Sequence, residues 1–170
     1  MRAKPNPVPK PPISIPRVLA LLAENPPRIA ALTAGLTSVQ LHATPSPDEW
    51  SANEVLAHLR SCADVWGGYI RKIIDQDSPS IRAISPRSWI NRTNYRDLEF
   101  EPSFRAFGVQ RTHLLTLLEG LAPGDWSRTS TVTQSGKVVT ATVLSYAERL
   151  AIHERHHLEQ FARIATTMHT

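Results

Sequence analysis

Apolar residues recur at a helical period through most of this chain, and the breaks in that period divide it into elements. From Ile15 the stripe reads Val18, Leu19, Leu21, Leu22, then Ile29, Leu32 and Leu36. Asn25-Pro26-Pro27 interrupts it, and a residue before proline is pushed out of the helical region. The spacing therefore predicts a short helix, a break, and a second helix ending near Gly35. The next start is sharper. Ser51-Ala52-Asn53-Glu54 has the form of a capping box, with Trp50 before it able to staple onto Val55. That helix should run to about Ile74, ahead of a loop from Asp75 to Ser80. A third helix is expected from Pro102 to Leu118, with Phe104, Phe107, Arg111, Leu114 and Leu115 in helical spacing and Gly120 as a stop. Between Trp126 and Thr140 the period shortens to that of a strand, and Gln134-Ser135-Gly136 marks the turn of a small hairpin. A final helix follows. The connection over residues 78–98 reads as long and irregular, and residues 1–12 as a disordered or extended tail carrying five of the 14 prolines. The expected fold is all-α: a single bundle domain over residues 13–170, with a hairpin before its last helix.

The last helix carries something that a core-facing stripe normally does not. His153, His156, His157 and Gln160 fall within it. At 100° per residue, with His153 as zero, Tyr146, Leu150, His157, Phe161 and Ile164 lie within about 80° on one side and Gln160 about 20° away on the other. His153 and His157 thus sit in the middle of the apolar stripe, while His156 lies about 60° off, toward its edge. The helix that begins at the capping box repeats the anomaly. Around His58 as zero, Val55, Leu59, Cys62, Val65, Trp66, Tyr69 and Ile73 all fall within about 100°.

A single buried histidine is ordinarily a hydrogen-bonded core residue. Three on apolar stripes, two of them at i and i+4, are another matter, because each unsatisfied buried group would cost about 1–3 kcal/mol. One metal ion held by His58, His153 and His157 removes that cost, and three imidazoles leave a position open for water or substrate. Imidazole suits Zn, Ni, Fe or Cu, so the ligands alone do not choose the ion. The letters His153-Glu154-Arg155-His156-His157 also match H-E-x-x-H, with Glu154 as a would-be general base. That protease pattern takes its third ligand downstream, where only Glu159 and His169 are available. Glu159 points off the stripe and His169 is next to the last residue. A third ligand from upstream, His58, fits better. Cys62, one turn after His58, reads as a core thiol.

Composition narrows the setting. Hydrophobic residues make up 41% and charged residues 20%, an ordinary globular balance. No apolar run is long enough to span a bilayer, and the first residues lack the apolar stretch of a secretory signal. One cysteine excludes an internal disulfide framework and fits a reducing cytoplasm. The net charge of +4 includes three cations of the tail, and the remaining cations alternate with acids on outer helix faces. With no recognition motif, this argues against a nucleic-acid partner.

Two segments carry a family resemblance. Trp50-Ser51-Ala52-Asn53-Glu54-Val55-Leu56-Ala57-His58-Leu59 is similar to a W-S-x-x-E-V-L-x-H-L motif, and the run from His153 to Gln160 to H-[DE]-x-x-H-x-x-Q. Phe104 to Arg111, the run Asp125-Trp126-Ser127-Arg128-Thr129 and Gly136 agree with it. The chain resembles the DinB-like superfamily over about residues 16–165. That resemblance implies an up-down-down-up four-helix bundle, a divalent metal on His58, His153 and His157, and frequently a homodimer. It implies relatives that are thiol-dependent S-transferases, acting with low-molecular-weight thiols, or hydrolases. His156 departs from the usual pattern and is a second candidate for that ligand position. The expected function is a metal-dependent enzyme of transferase or hydrolase type acting on a small molecule, the alternative being a non-enzymatic metal-binding stress-response protein. Gln160 could orient a ligand or water. Trp89, Tyr95 and the arginines of the 82–96 loop could line the mouth and receive an anionic substrate.

Overall fold

The computed structural model describes residues 13–168. The tail over residues 1–12 and His169 lie outside the described residues. The described residues form six α-helices, three 3₁₀ turns and a small three-stranded sheet.

Helix α1 (Ile15–Thr33) runs straight through Pro26 and Pro27, so the expected break is absent. Two prolines remove two helical N–H donors, at a cost of about 3 kcal/mol or more each when exposed to no compensation. The compensation is tertiary. Leu21, Leu22, Asn25 and Ile29 are all buried, and Asn25 Nδ2 donates to Glu154 Oε2 at 2.9 Å. Only an unbroken helix keeps Asn25 and Ile29 on the face that Leu22 occupies. Gly35, at φ +81°, carries the chain away from the helix end.

A short helix α2 (Ser38–His42), capped by Thr37 and Gln40, precedes α3 (Ala52–Asp75). The capping box at α3 forms as its sequence suggests: Ser51 Oγ accepts from Glu54 N at 3.2 Å, and Glu54 Oε2 accepts from Ser51 N at 2.9 Å. The following connection is more ordered than its composition implies. It contains strand β1 (Ser80–Arg82), the short helix α4 (Pro86–Trp89), and 3₁₀ turns at Ile90–Arg92 and Tyr95–Asp97. Helix α5 (Phe100–Glu119) starts two residues earlier than expected, with Pro102 in its first turn, where a missing N–H costs nothing. A 3₁₀ turn over Pro123–Ser127 leads to the hairpin of β2 (Thr129–Gln134) and β3 (Lys137–Thr142). Ser135 and Gly136 both have positive φ, the condition for a two-residue turn that matches strand twist. β1 adds to β2 in parallel, pairing Ile81 with Val132. Helix α6 (Val143–Met168) closes the fold, its start fixed by reciprocal bonds between Thr142 and Ser145.

The four long helices form the body: α1 and α3 each pack against both α5 and α6. Their buried side chains fall into two apolar clusters. Leu22, Ile70, Ile73, Leu118, Tyr146 and Leu150 join the sheet residues Ile81 and Val132 in one. Ile29, Leu56, Leu59, Phe107, Phe161 and Ile164 form the other. Along the helices a buried polar residue separates them: Asn25 between Leu22 and Ile29, Arg111 between Phe107 and Leu114, Glu154 between Leu150 and Leu158. The chemistry of the molecule is concentrated at this level.

Candidate metal centre

Two turns into α3, His58 faces α6 and is buried. Its Nε2 lies 2.9 Å from Nε2 of His153, which is itself 3.1 Å from Nε2 of His157. The three rings meet edge to face, with centroids 4.6–5.1 Å apart. Trp50 covers this group on one side, 5.2 Å from the His58 ring and stacked at 6.5 Å on His157. Trp66 covers the other, 5.1 Å from His153. The structure therefore brings together the three histidines singled out by their angular positions.

The protonation of one of the three follows from its partner. His157 Nδ1 is 2.9 Å from Gln160 Oε1, an atom that can only accept. The Nδ1 must carry the proton, so the Nε2 lone pair of His157 points at His153. His153 Nε2 has a neighbour on each side but only one proton or one lone pair to offer. It can make one good hydrogen bond, not two. Burial reinforces the neutral state. Loss of solvent, with the neighbouring imidazoles and Arg87 adding to it, lowers the His58 pKa to about 3. The same cause lowers His153 to about 4, with His157, His156, Arg149 and Arg87 contributing. His157 is lowered by burial, against a smaller upward effect of the Gln160 hydrogen bond.

Such a donor set suits a cation. Tetrahedral zinc with Zn–N of 2.0–2.1 Å separates two ligand nitrogens by about 3.3 Å. The observed separations of 2.9 and 3.1 Å are within a few tenths of that. A further donor stands close by. Cys62 Sγ is 3.6 Å from His58 Nε2, and the ligand atoms of His58, Cys62 and His153 all lie within 4.8 Å of one another, a group that could hold a metal ion. Its spacing from His58, one helical turn, was visible in the sequence, but a thiol on an apolar stripe gives no further signal. Burial, and then the nearby Glu154, push the Cys62 pKa well above its ordinary value.

Most of the other singled-out residues lie elsewhere. His156 is exposed on the outer face of α6. Trp89 Nε1 and Tyr95 Oη both donate to Asp64 Oδ2, at 3.1 and 2.7 Å, while Gln110 Nε2 donates to Oδ1 at 2.6 Å. Asp64 thus ties the 86–97 segment and α5 to α3, and the polar ends of both aromatics are engaged there. Arg60 lies over the Tyr95 ring at 3.8 Å and donates to Ser103 at 3.1 Å. Glu154, the general base of the H-E-x-x-H pattern, is completely buried and paired with Arg111 and Asn25. Of the 82–96 arginines, Arg87 lies 5.2 Å from the Trp50 ring centroid, beside the histidines.

The family model of the DinB superfamily matches residues 21–161, most of the chain. The chain belongs to the DinB superfamily. Among solved structures it is similar to YfiT from Bacillus subtilis, described as a probable metal-dependent hydrolase with an unusual four-helix bundle topology. That match has a TM-score of 0.73 and 17% identity, and it covers 98% of this chain and 93% of the other. Identity at that level speaks for a shared fold. Comparison with curated protein sequences finds no match. No described helix of this DinB-superfamily chain is long and apolar enough to cross a membrane.

Proposed function

We propose that this chain is a metal-dependent enzyme of the DinB superfamily, binding one divalent ion through Nε2 of His58, His153 and His157. One observation carries the reading: three neutral imidazole nitrogens converge where hydrogen bonding alone satisfies at most one pair. When bound, the ion would supply Lewis acidity, making a water or a low-molecular-weight thiol nucleophilic at neutral pH. Gln160 holds His157 in the tautomer that presents Nε2, and Trp50 and Trp66 exclude water from two sides of the group. Neutral imidazoles are the metal-binding form, and the lowered pKa values keep them so well below neutral pH.

The reaction is of hydrolase or thiol-dependent S-transferase type on a small molecule, with zinc, nickel or iron as the ion. A cytoplasmic homodimer is the accompanying assignment, supported by the single cysteine and by the family resemblance. The bundle is read as up-down-down-up. Supporting this, α3 and α6 meet through Trp66 with His153 and Tyr69 with Tyr146, numbers that run oppositely. Between α1 and α6, by contrast, Ile13 bonds Glu148 and Asn25 bonds Glu154, numbers that rise together.

The second reading comes from Cys62. Tetrahedral zinc with Zn–S of 2.3 Å and Zn–N of about 2.05 Å sets sulfur and nitrogen about 3.6 Å apart, the separation seen from His58. A thiolate there would close the site and favour the non-enzymatic metal-binding protein. Elemental analysis of untagged protein tests the main reading: about one ion per chain is expected, lost in His58→Ala and in His157→Ala. A full complement in both variants would sink it. Cobalt substitution separates the two readings. An intense near-ultraviolet sulfur-to-cobalt band that disappears in Cys62→Ser assigns the thiolate. A band that appears only on adding an exogenous thiol marks an exchangeable position.

A further inference from the structure

One turn before His153 on α6, Arg149 stands over two aromatic rings. Its guanidinium carbon is 5.6 Å from the Trp66 ring centroid and 5.8 Å from that of Tyr146. Trp66 is the same ring that meets His153 edge-on at 5.1 Å. The aromatic pair biases where the exposed Arg149 charge stands, a cation–π contact being worth about 0.5–1 kcal/mol at such a site. None of the ion pairs among the described residues involves Arg149, so its charge is not consumed by a carboxylate.

Arg149 borders a cavity of about 270 Å³ between α3, α6 and the sheet. Trp66, Tyr69 and Tyr146 form its aromatic side, and Ile84 and Val139 face them from the connection and from β3. Arg149 is the one charged residue in the lining, and no acid is among them. The wall on the connection side is held in place, because Ile84 N donates to Tyr69 Oη at 2.7 Å. Ser85, Gln134, Thr140 and Ser145 complete the lining, so an aromatic side bordered by hydroxyl and amide groups, with a single unpaired cation at the rim, selects a compact molecule with a ring-bearing body and one negative end. The cavity is at the small end of ligand sites, which limits that body to roughly the size of one ring.

We infer that this cavity is the binding site for a small carboxylate with an apolar or aromatic body, its carboxylate anchored by Arg149 and its body packed on Trp66, Tyr69 and Tyr146. Arginine is suited to the role because its planar fork pairs a carboxylate through two parallel hydrogen bonds. Trp66 is shared between the cavity and the histidine group, so the bound molecule lies one ring away from His153. That this carboxylate is the substrate rests on the metal-enzyme reading above, whereas its binding does not.

Benzoate and benzyl alcohol, similar in shape and different in charge, are the probes. Each is titrated into full-length, chelator-treated protein by calorimetry at moderate salt, and again into zinc-loaded protein. Benzoate should bind at least tenfold more tightly than benzyl alcohol to the metal-free wild type. Arg149→Gln should erase that preference and Arg149→Lys restore part of it. Arg87→Gln is the control, since Arg87 is a cation near the same histidines but does not line the cavity. It should leave most of the preference intact. Equal affinity for the two probes, or equal losses in Arg149→Gln and Arg87→Gln, would overturn the assignment. If zinc fails to bind while the Arg149-dependent preference persists, the metal reading fails and the carboxylate site stands. If zinc binds and the preference is absent, only the carboxylate site fails.

Discussion

His153 and Glu154 are neighbours in sequence on α6 and belong to two polar groups of opposite character. Glu154 turns into the body of the bundle, where Arg111 from α5 and Asn25 from α1 meet its two oxygens. Both Glu154 oxygens are matched to a donor from another helix, although Asn25 Oδ1 and two of the Arg111 nitrogens are buried without a partner. His153 turns toward α3, where it meets His58 and His157 with more lone pairs and protons than can be matched. One group is built on a charge pair that spans α5 and α6 and holds helices together. The other is left with capacity for something from outside. Two residues that a protease-like motif would put to work on one ion are thus divided between architecture and chemistry, because successive helical residues point about 100° apart.

The sharpest way to break this contrast is Glu154→Ala. It leaves the Arg111 guanidinium buried without its counter-charge, and removal of one partner from a buried pair costs about 3–5 kcal/mol. Urea unfolding of the metal-free variant should show a loss of that size, with a large part recovered in Glu154→Leu/Arg111→Met. A loss under about 1 kcal/mol would mean that the network is no keystone. The next effect is on acid sensitivity. The histidines have depressed pKa values in the folded state, so the unfolded chain binds more protons as pH falls below about 6.5. Stability of the metal-free protein should therefore be intact above that pH. It should decline down toward pH 4 for His153 and pH 3 for His58, each contributing at most about 1.4 kcal/mol per pH unit. His153 is partly exposed, which holds its contribution below that ceiling. Denaturant melts of His58→Ala against wild type across this range should show a flatter dependence in the variant, and parallel curves would refute the assignment. The smallest expected effect is that of His156→Ala, an exposed position on the outer face of α6. Its stability should stay within about 0.5 kcal/mol of wild type, and its metal content should not change. Loss of the ion in this variant would move the ligand set outward.

How far the sequence could be read depended on the range of the interactions involved. The long helices α3, α5 and α6 declare themselves through local period, a capping box and stop residues, all within a few residues of one another. The angular separation of His157 from His156 is equally local, and one lies half-buried and the other exposed as the helical wheel suggests. The unbroken α1 was not legible, because Pro26 and Pro27 obey a local rule that Asn25 overrides through a residue 129 positions away. β1 is three residues long, and its only statement of identity is a parallel pairing with β2. Trp89 and Tyr95 carried no sign that Asp64 would take up both of their polar ends. Nor could Cys62 be separated from the ordinary core until α6 set His153 beside it.

The two prolines in α1 have a consequence for how the protein breathes. Pro26 and Pro27 have no amide proton, so the carbonyls of Leu22 and Ala23 have no donor one turn ahead. The ladder is interrupted for two rungs, and the cooperativity that normally propagates along a helix is interrupted with it. α1 should behave in hydrogen exchange as two segments joined at Asn25, the half after the prolines opening on its own while the half that packs with Leu22 stays protected. The side chain of Asn25, bonded to Glu154, is the rivet that keeps these two segments in one line.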